Sequence, residues 1–239
     1  MVRVYRTQGT PCLARRAYHA RMCPWDGLTP ANLVFCEAPV CGWIVHPADT
    51  WSNLGFAFVA VAMWWHARSR PPTSARSLAL VAALTFVGSF ALHGTNTFVG
   101  QALDQSAMFL QSAFFVVSAL GRLQRRPWSA AWRAVYFAMV AASIAALLQW
   151  QTVGIALFAA QCTIFALVEA RLFVRDRGTR YAWLATAVGL FAVSYGIWWF
   201  DKLAVWCRPD VHWISGHAVW HLLGAAGQWA WYRFFSQFE

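Results

Sequence analysis

The sequence predicts an all-α fold, an integral membrane bundle of seven transmembrane helices. Of its 239 residues, 59% are hydrophobic and 12% are charged, whereas roughly 25% of an average soluble domain is charged. Seven apolar segments follow one another along the chain, each close to the roughly 20 residues that a helix needs to cross a bilayer. Short polar connections rich in Arg or Pro separate them, and none alternates in polarity as a β-barrel strand does.

The beginning of the chain is polar and irregular. Five prolines interrupt any helix within residues 1–48, and no apolar run there is long enough for the core of a signal peptide. We therefore expect an extramembrane N-terminal segment over residues 1–48 and a transmembrane domain over residues 49–235. Residues 1–21 carry five Arg and no acid, which leaves open a targeting stretch or a start codon assigned too early.

The connections between the spans predict the orientation of the bundle. The predicted spans lie at about residues 50–67, 76–95, 102–121, 131–149, 152–173, 182–200 and 214–232. Connections 1-2, 3-4 and 5-6 share one face with the C-terminus, and that face carries twelve Arg, whereas the other connections carry only Lys202 and Arg208. The positive-inside bias then places the C-terminus in the cytoplasm and the N-terminus outside.

The net charge of +10 does not indicate nucleic-acid binding. The basic residues lie in short clusters between apolar stretches, so they do not form one exposed basic surface. We expect no nucleic-acid partner, and nothing in the sequence specifies an oligomeric state.

Five polar residues are predicted to meet at the outer ends of three spans. Ser89 and His93 lie four residues apart near the end of the second span, on one helical face. Asp104 lies about one turn inside the third span. His217 and His221 open the seventh span at a spacing that lets two imidazoles bind one metal ion. Because ionisable residues are costly in lipid, their shared depth predicts a functional site rather than isolated polar contacts.

Other polar residues have simpler interpretations. Asp201 lies beside Lys202 at the outer end of the sixth span, where a solvated ion pair and a functional role are both open. Four further histidines have no partner at helical spacing, and we expect them at the surface or at interfaces: His19, His46, His66 and His212.

With these residues the chain resembles the alkaline ceramidases, within a wider group of seven-helix membrane hydrolases that includes the progestin and adipoQ receptors and Per1-type proteins. The resemblance runs from about Phe35 to Trp229. Its specific parts agree with the family in both spacing and order along the chain. The first is Gly-Ser-x3-His-x10-Asp from Gly88 to Asp104. The second is TrpTrpPheAsp at 198–201, followed by HisAlaValTrpHis at 217–221. CysGlu at 36–37 and TrpSerAsn at 51–53 are shorter matches.

The resemblance implies a zinc-dependent membrane amidase that hydrolyses ceramide-like lipids from the bilayer to a sphingoid base and a fatty acid. The zinc ligands would be His93, His217 and His221, and the catalytic residues would be Asp104 and Ser89. The active site would face the non-cytoplasmic side, which is the periplasm in a bacterium and the endoplasmic reticulum or Golgi lumen in a eukaryote.

A calcium site in the same family uses acidic and amide groups around the CysGlu segment and before the first span. The corresponding residues here are Glu37 and Asp49. The chain departs from the family pattern in having Ala38 and Pro39 after Glu37, and Asp49 is displaced from the family spacing. Calcium is therefore a weaker expectation than zinc.

The cysteines also bear on the N-terminal segment. The resemblance implies a disulfide between Cys36 and Cys207, and a local Cys36–Cys41 pair is the alternative. Cys162 lies within a span and is expected to be a small apolar residue. Cys12 and Cys23 fall on the predicted outer face, as do Cys36, Cys41 and Cys207, and disulfides persist there.

The chemistry of these residue types fits hydrolysis. Three neutral imidazoles leave a fourth tetrahedral position at which Zn²⁺ lowers the pKa of water. Asp104 is expected either to accept and return a proton or only to orient a metal-binding histidine, and Ser89 is expected to hydrogen-bond the developing oxyanion. Two other functions stay open: a receptor-like protein with a structural zinc site, and an ester hydrolase acting on other lipids.

Overall fold

The computed structural model describes residues 23–68, 76–126, 128–176 and 178–238, and within these ranges it contains helices and no β-strand. Residues 1–22, which include Cys12 and His19, lie outside the described part. The helices, numbered here in chain order, are α1 (Pro47–Ser52), α2 (Leu54–Ala67), α3 (Arg76–Thr95), α4 (Phe98–Leu123), α5 (Ala130–Gln149), α6 (Gly154–Arg175), α7 (Ala182–Lys202) and α8 (Gly216–Phe235).

Six of the seven predicted spans each coincide with one helix of 20 residues or more, and five of these helices, α3 to α7, are long and apolar enough to cross a membrane. Helix α2 has only 14 residues. Helix α8 has 20 residues but carries two His, a Gln and an Arg. The all-helical fold is therefore confirmed, five of its helices are candidate membrane spans by length and composition, and the count of seven spans stays a prediction.

The predicted first span is divided into α1 and α2 at Asn53. The Asn53 side chain donates to the backbone oxygen of Asp49 at 2.7 Å, and the Ser52 hydroxyl donates to the same oxygen at 2.9 Å. Such side-chain bonds compete with the regular helical pattern, so a short helix precedes the span instead of extending it.

Helices α3 and α4 form a hairpin in which two glycines allow very close approach. A β-carbon on Gly88 would lie 2.7 Å from the backbone nitrogen of Asp104, and one on Gly100 would lie 2.7 Å from the Cα of Leu92. Thr97 caps α4 by accepting the Gly100 N–H, so α4 begins at Phe98 instead of residue 102. Asp104 consequently lies nearly two turns inside the helix rather than one.

The interior of the bundle is formed around α4 and α8. Helix α8 packs mainly on α7 and α2, whereas α4 packs on α3, α5 and α6. Their aromatic side chains interlock far from the end where α8 begins: Phe115 lies 4.6 Å from Trp231 and 5.2 Å from Phe235, between ring centroids. This packing fixes α4 against α8.

The N-terminal segment folds over one end of this bundle. The backbone N–H groups of Val45 and His46 donate to the carbonyls of Gly94 and His93, and Ala31 donates to Asn96. We call this the site end. It contains the last turn of α3, the first turns of α4 and α8, and α1.

Candidate metal centre

Three buried histidines come together at the site end. His93 comes from the last turn of α3, and His217 and His221 come from the first turns of α8. Their ligand nitrogens all lie within 4.8 Å of one another, and their ring centroids are 4.6–4.8 Å apart. The structure thus brings together the three residues that the spacing pointed to, in an arrangement that suits a single metal ion.

The first turn of α8 is held in place by polar groups from other elements. Ser215 caps the helix by accepting the Ala218 N–H at 2.7 Å, and its hydroxyl donates to Asp49. The Asp201 carboxylate lies against the backbone N–H groups of Gly216 and His217, where the helix dipole favours negative charge. These contacts set the depth and direction at which the α8 histidines emerge.

Asp201 does not form a solvated ion pair with Lys202, which was one of the two interpretations that the sequence left open. Its side chain is only 2% exposed. Lys202 instead lies over the rings of Trp198 and Trp199, at 4.8 and 5.2 Å from their centroids. The role of Asp201 that the structure supports is to anchor α8.

A serine in α1 orients one of the three imidazoles. The Ser52 hydroxyl lies 2.7 Å from His221 Nδ1, and its single hydrogen is donated to the backbone oxygen of Asp49. Because a hydroxyl has only one hydrogen to give, it accepts from His221, whose Nδ1 then carries the proton. The Nε2 lone pair of His221 is left free to bind a metal.

The second carboxylate near this group is that of Asp49. Its Oδ2 lies 3.8 Å from His93 Nδ1, and both residues are buried. This separation is longer than a hydrogen bond, so the Asp49 carboxylate is an electrostatic neighbour of the His93 ring. The sequence did not assign Ser52 and Asp49 to the histidines. Nothing in the short segment before α2 indicates which distant ring each of these side chains meets.

Ser89 and Asp104 complete the predicted set. Ser89 lies one turn before His93 on α3, and the close approach at Gly88 places Asp104 of α4 beside it, as a hydrogen-bonding neighbour. Both line the same cavity as the three histidines. All five residues are therefore brought together, and their catalytic roles stay predictions.

The residues expected to form a calcium site also lie close to one another, with a third partner. Glu37 and Asp49 offer ligand oxygens within 4.8 Å of each other and of a His46 nitrogen. His46 was expected at a surface or interface, and this was wrong, because it is 3% exposed. Burial lowers the pKa of His46 below its usual value, so the ring is neutral near pH 7. His212 lies 2.9 Å from Glu37.

A disulfide holds the N-terminal segment over the histidines. Cys36 is bonded to Cys207, as the resemblance implied, which excludes the alternative Cys36–Cys41 pair. Cys41 is bonded to Cys23, a pairing that was not predicted. The ring of Phe35, next to Cys36, lies 4.6 and 5.0 Å from the rings of His93 and His217.

Beneath Phe35 the three histidines open into an apolar cavity of about 240 Å³ between α3, α4, α7 and α8. A second cavity of about 640 Å³ lies between α6 and α7 and shares part of its wall with the first. The shared residues are Gln111, Phe158, Phe191 and Trp231. The two cavities are therefore neighbours, and these four side chains lie at the boundary between them.

Comparison with known proteins agrees with the resemblance. Among proteins with curated descriptions, no sequence matches this chain. The model of one protein family, described as Ceramidase, matches residues 29–238. That stretch includes all five residues around the cavity and both members of the Cys36–Cys207 disulfide. The chain therefore belongs to the Ceramidase family.

Proposed function

We propose that this protein is a zinc-dependent amidase that hydrolyses a long-chain lipid amide of the ceramide type inside the membrane. The observation that carries the proposal is the position of three buried imidazoles at the head of an apolar cavity, beside one carboxyl and one hydroxyl group. Family membership supports a hydrolase. The metal, the bond cleaved and the lipid are our inference.

The histidines fit a zinc site in number, chemistry and support. Zinc is bound in proteins by imidazole nitrogens with tetrahedral geometry, and catalytic sites use three protein ligands. The Ser52–His221 contact leaves a ring nitrogen free toward the group. Without a cation, three buried imidazoles packed this closely would leave lone pairs without partners. When bound, zinc supplies a Lewis acid and lowers the pKa of water.

Asp104 and Ser89 are the groups that act beside the metal ligands. A carboxylate at Asp104 is close enough to the cavity to accept a proton from water as the amide carbonyl is attacked, and then to return it to the leaving amine. Once Asp104 has taken up the proton, it no longer needs the single hydrogen of the Ser89 hydroxyl, which can then be donated to the carbonyl oxygen as negative charge develops on it. Asp49 rather than Asp104 is near His93 Nδ1, which favours the proton-transfer role for Asp104 over the orienting role.

The cavities suit a substrate that is mostly hydrocarbon. Helix α6 packs on α4 and α5, whereas α7 packs on α8, and a cavity of about 640 Å³ occupies the space between α6 and α7. Ligand cavities typically measure about 300–1,000 Å³. An acyl chain lying there would place its amide at the smaller cavity, next to the histidines.

The positive-inside bias adds an orientation to this proposal. The site end is opposite the face with twelve Arg, so the active site would lie on the non-cytoplasmic side of the membrane. A substrate would then come from the outer leaflet.

The test is hydrolysis of a matched pair of lipids. Purified, zinc-loaded protein in detergent micelles is incubated with a long-chain ceramide and with an analogue in which an ester replaces the amide, and released fatty acid is measured by mass spectrometry. We expect release from the amide and loss of release in His217→Ala. The control is His66→Gln, at the other end of the bundle.

Each contrary result selects another function. Release from the ester alone would make the protein an ester hydrolase. Absence of turnover with both lipids, in protein that holds zinc, would favour the receptor-like alternative with a structural metal.

A further inference from the structure

A second cluster of metal-ligand residues lies beside the three histidines. Glu37, His46 and Asp49 offer one imidazole nitrogen and two carboxylate oxygens within 4.8 Å of one another. They are 1%, 3% and 0% exposed. Their elements are the N-terminal segment and α1, and the cluster shares no ligand with the α3 and α8 histidines.

Part of this cluster has a structural explanation. The Glu37 carboxylate accepts the N–H groups of Ala48 and Asp49, at 3.0 and 3.1 Å, and so caps the start of α1. His212 occupies a further position on Oε1. Each carboxylate oxygen has two lone pairs, so Oε2 retains one. Helix capping thus explains why Glu37 is buried, but it leaves a ligand position open.

His46 and Asp49 have no such explanation. Among the residues that the structure describes, neither ring nitrogen of His46 has a hydrogen-bond partner, and neither has Asp49 Oδ2. A buried imidazole normally satisfies at least one of its nitrogens, because leaving both without partners in the interior is unfavourable. The unsatisfied atoms belong to residues that face one another, which is the pattern expected of side chains that bind a metal ion together.

Charge points to the same conclusion. Two carboxylates are buried in this cluster, and the ion-pair contacts of Glu37 and Asp49 are with His212 and His93. Neither histidine carries a permanent positive charge, as an Arg or Lys side chain would. A divalent cation would balance both carboxylates at once.

The ligand types select the kind of cation. Calcium prefers six to eight oxygen ligands. A site with an imidazole between two carboxylates suits zinc, manganese or iron better. His46 lies between the two residues that the family resemblance pointed to for calcium, and it changes the expected metal.

We propose that Glu37, His46 and Asp49 bind a second divalent ion, of the transition-metal class, next to the three-histidine site. Asp49 lies between the two sites, because the Oδ2 that would bind the second ion is 3.8 Å from His93 Nδ1. The second ion would hold the Asp49 carboxylate and, with it, the N-terminal segment.

The experiment measures metal content rather than activity. Full-length protein is stripped with a chelator, reloaded with Zn²⁺ alone or with Ca²⁺ alone, freed of excess ion, and analysed by inductively coupled plasma mass spectrometry. We expect two zinc equivalents per chain and no calcium. His46→Ala and the polar variant His46→Gln should each retain one zinc equivalent, and His66→Gln, which changes a histidine remote from both sites, should retain two.

The variants also separate this proposal from the proposed function. His217→Ala should lose the equivalent that the His46 variants keep, so the two sites report independently. One zinc equivalent in the unchanged protein would overturn the second site. The second site would also be overturned by two zinc equivalents in both His46 variants, by calcium binding that the His46 variants leave unchanged, or by loss of both zinc equivalents in His46→Gln.

Discussion

The tight hairpin of α3 and α4 predicts that a single methyl group at Gly88 disrupts catalysis. A β-carbon there would lie 2.7 Å from the backbone nitrogen of Asp104 and 2.7 Å from the carbonyl carbon of Leu103. Ordinary van der Waals contact begins at 3.4 Å. In Gly88→Ala the two backbones must therefore separate by about 0.7 Å, since neither contact is with a flexible side chain.

This separation acts where the geometry matters most, because Ser89 is the next residue and Asp104 is on the opposite helix. A misplacement of about 1 Å can lower turnover by about 100-fold, and overpacking costs about 1–3 kcal/mol of stability. We expect Gly88→Ala to lower fatty-acid release by about this factor, with a lower melting temperature in micelles. Zinc content measured on the same sample separates a displaced Asp104 from a lost metal ion.

The matched control is Gly189→Ala on α7, where a β-carbon meets no atom within 4 Å. It should leave release and melting temperature close to those of the unchanged protein. Gly88→Ala with unchanged turnover and unchanged melting temperature would refute the reasoning, because the hairpin would then not set the position of Asp104.

Five other results are expected. His217→Ala should lose both zinc and hydrolysis, as measured by metal analysis and fatty-acid release, because two imidazoles hold zinc poorly. Asp104→Asn should keep its zinc while turnover falls by about 100-fold or more. Ser89→Ala should have a smaller effect, since a bound zinc ion would still stabilise the oxyanion. Equal activity of Asp104→Asn and the unchanged protein would contradict the assigned roles. Cys207→Ser should lower the free energy of unfolding by about 2–4 kcal/mol in denaturant titrations. A reporter that is active only when exported should stay inactive when it is fused after Glu239. Activity of this fusion would reverse the proposed orientation.

The helical part of the site could be predicted because its spacing is periodic. His217 and His221 share a helical face by their four-residue separation, as do Ser89 and His93. Asp104 joins them because a short connection between two spans brings its helix back to the same depth. Periodicity and depth are properties of the sequence, so these residues could be identified before their contacts were known.

The N-terminal part of the site was less accessible to such reasoning. Phe35, His46 and Ser52 lie in irregular chain or in the short helix α1, where no repeat relates position in sequence to position in space. His46 had no partner at helical spacing and was therefore placed at a surface or interface. Its actual neighbours are Glu37 and Asp49. They lie close to it because the Glu37 carboxylate caps α1 and so holds the chain around residue 37 against the start of that helix.

The Cys36–Cys207 disulfide bears on how the rate of the proposed hydrolysis would depend on the lipid composition of the membrane. It holds the segment that carries Phe35 over the histidines, and a lipid substrate of the proposed kind would enter from the side, through the wide cavity between α6 and α7. A substrate using that route diffuses in two dimensions within one leaflet. Its effective concentration is then a mole fraction of the surrounding lipid, and diluting the substrate with inert phospholipid should slow the reaction even when the total amount of substrate per volume is unchanged.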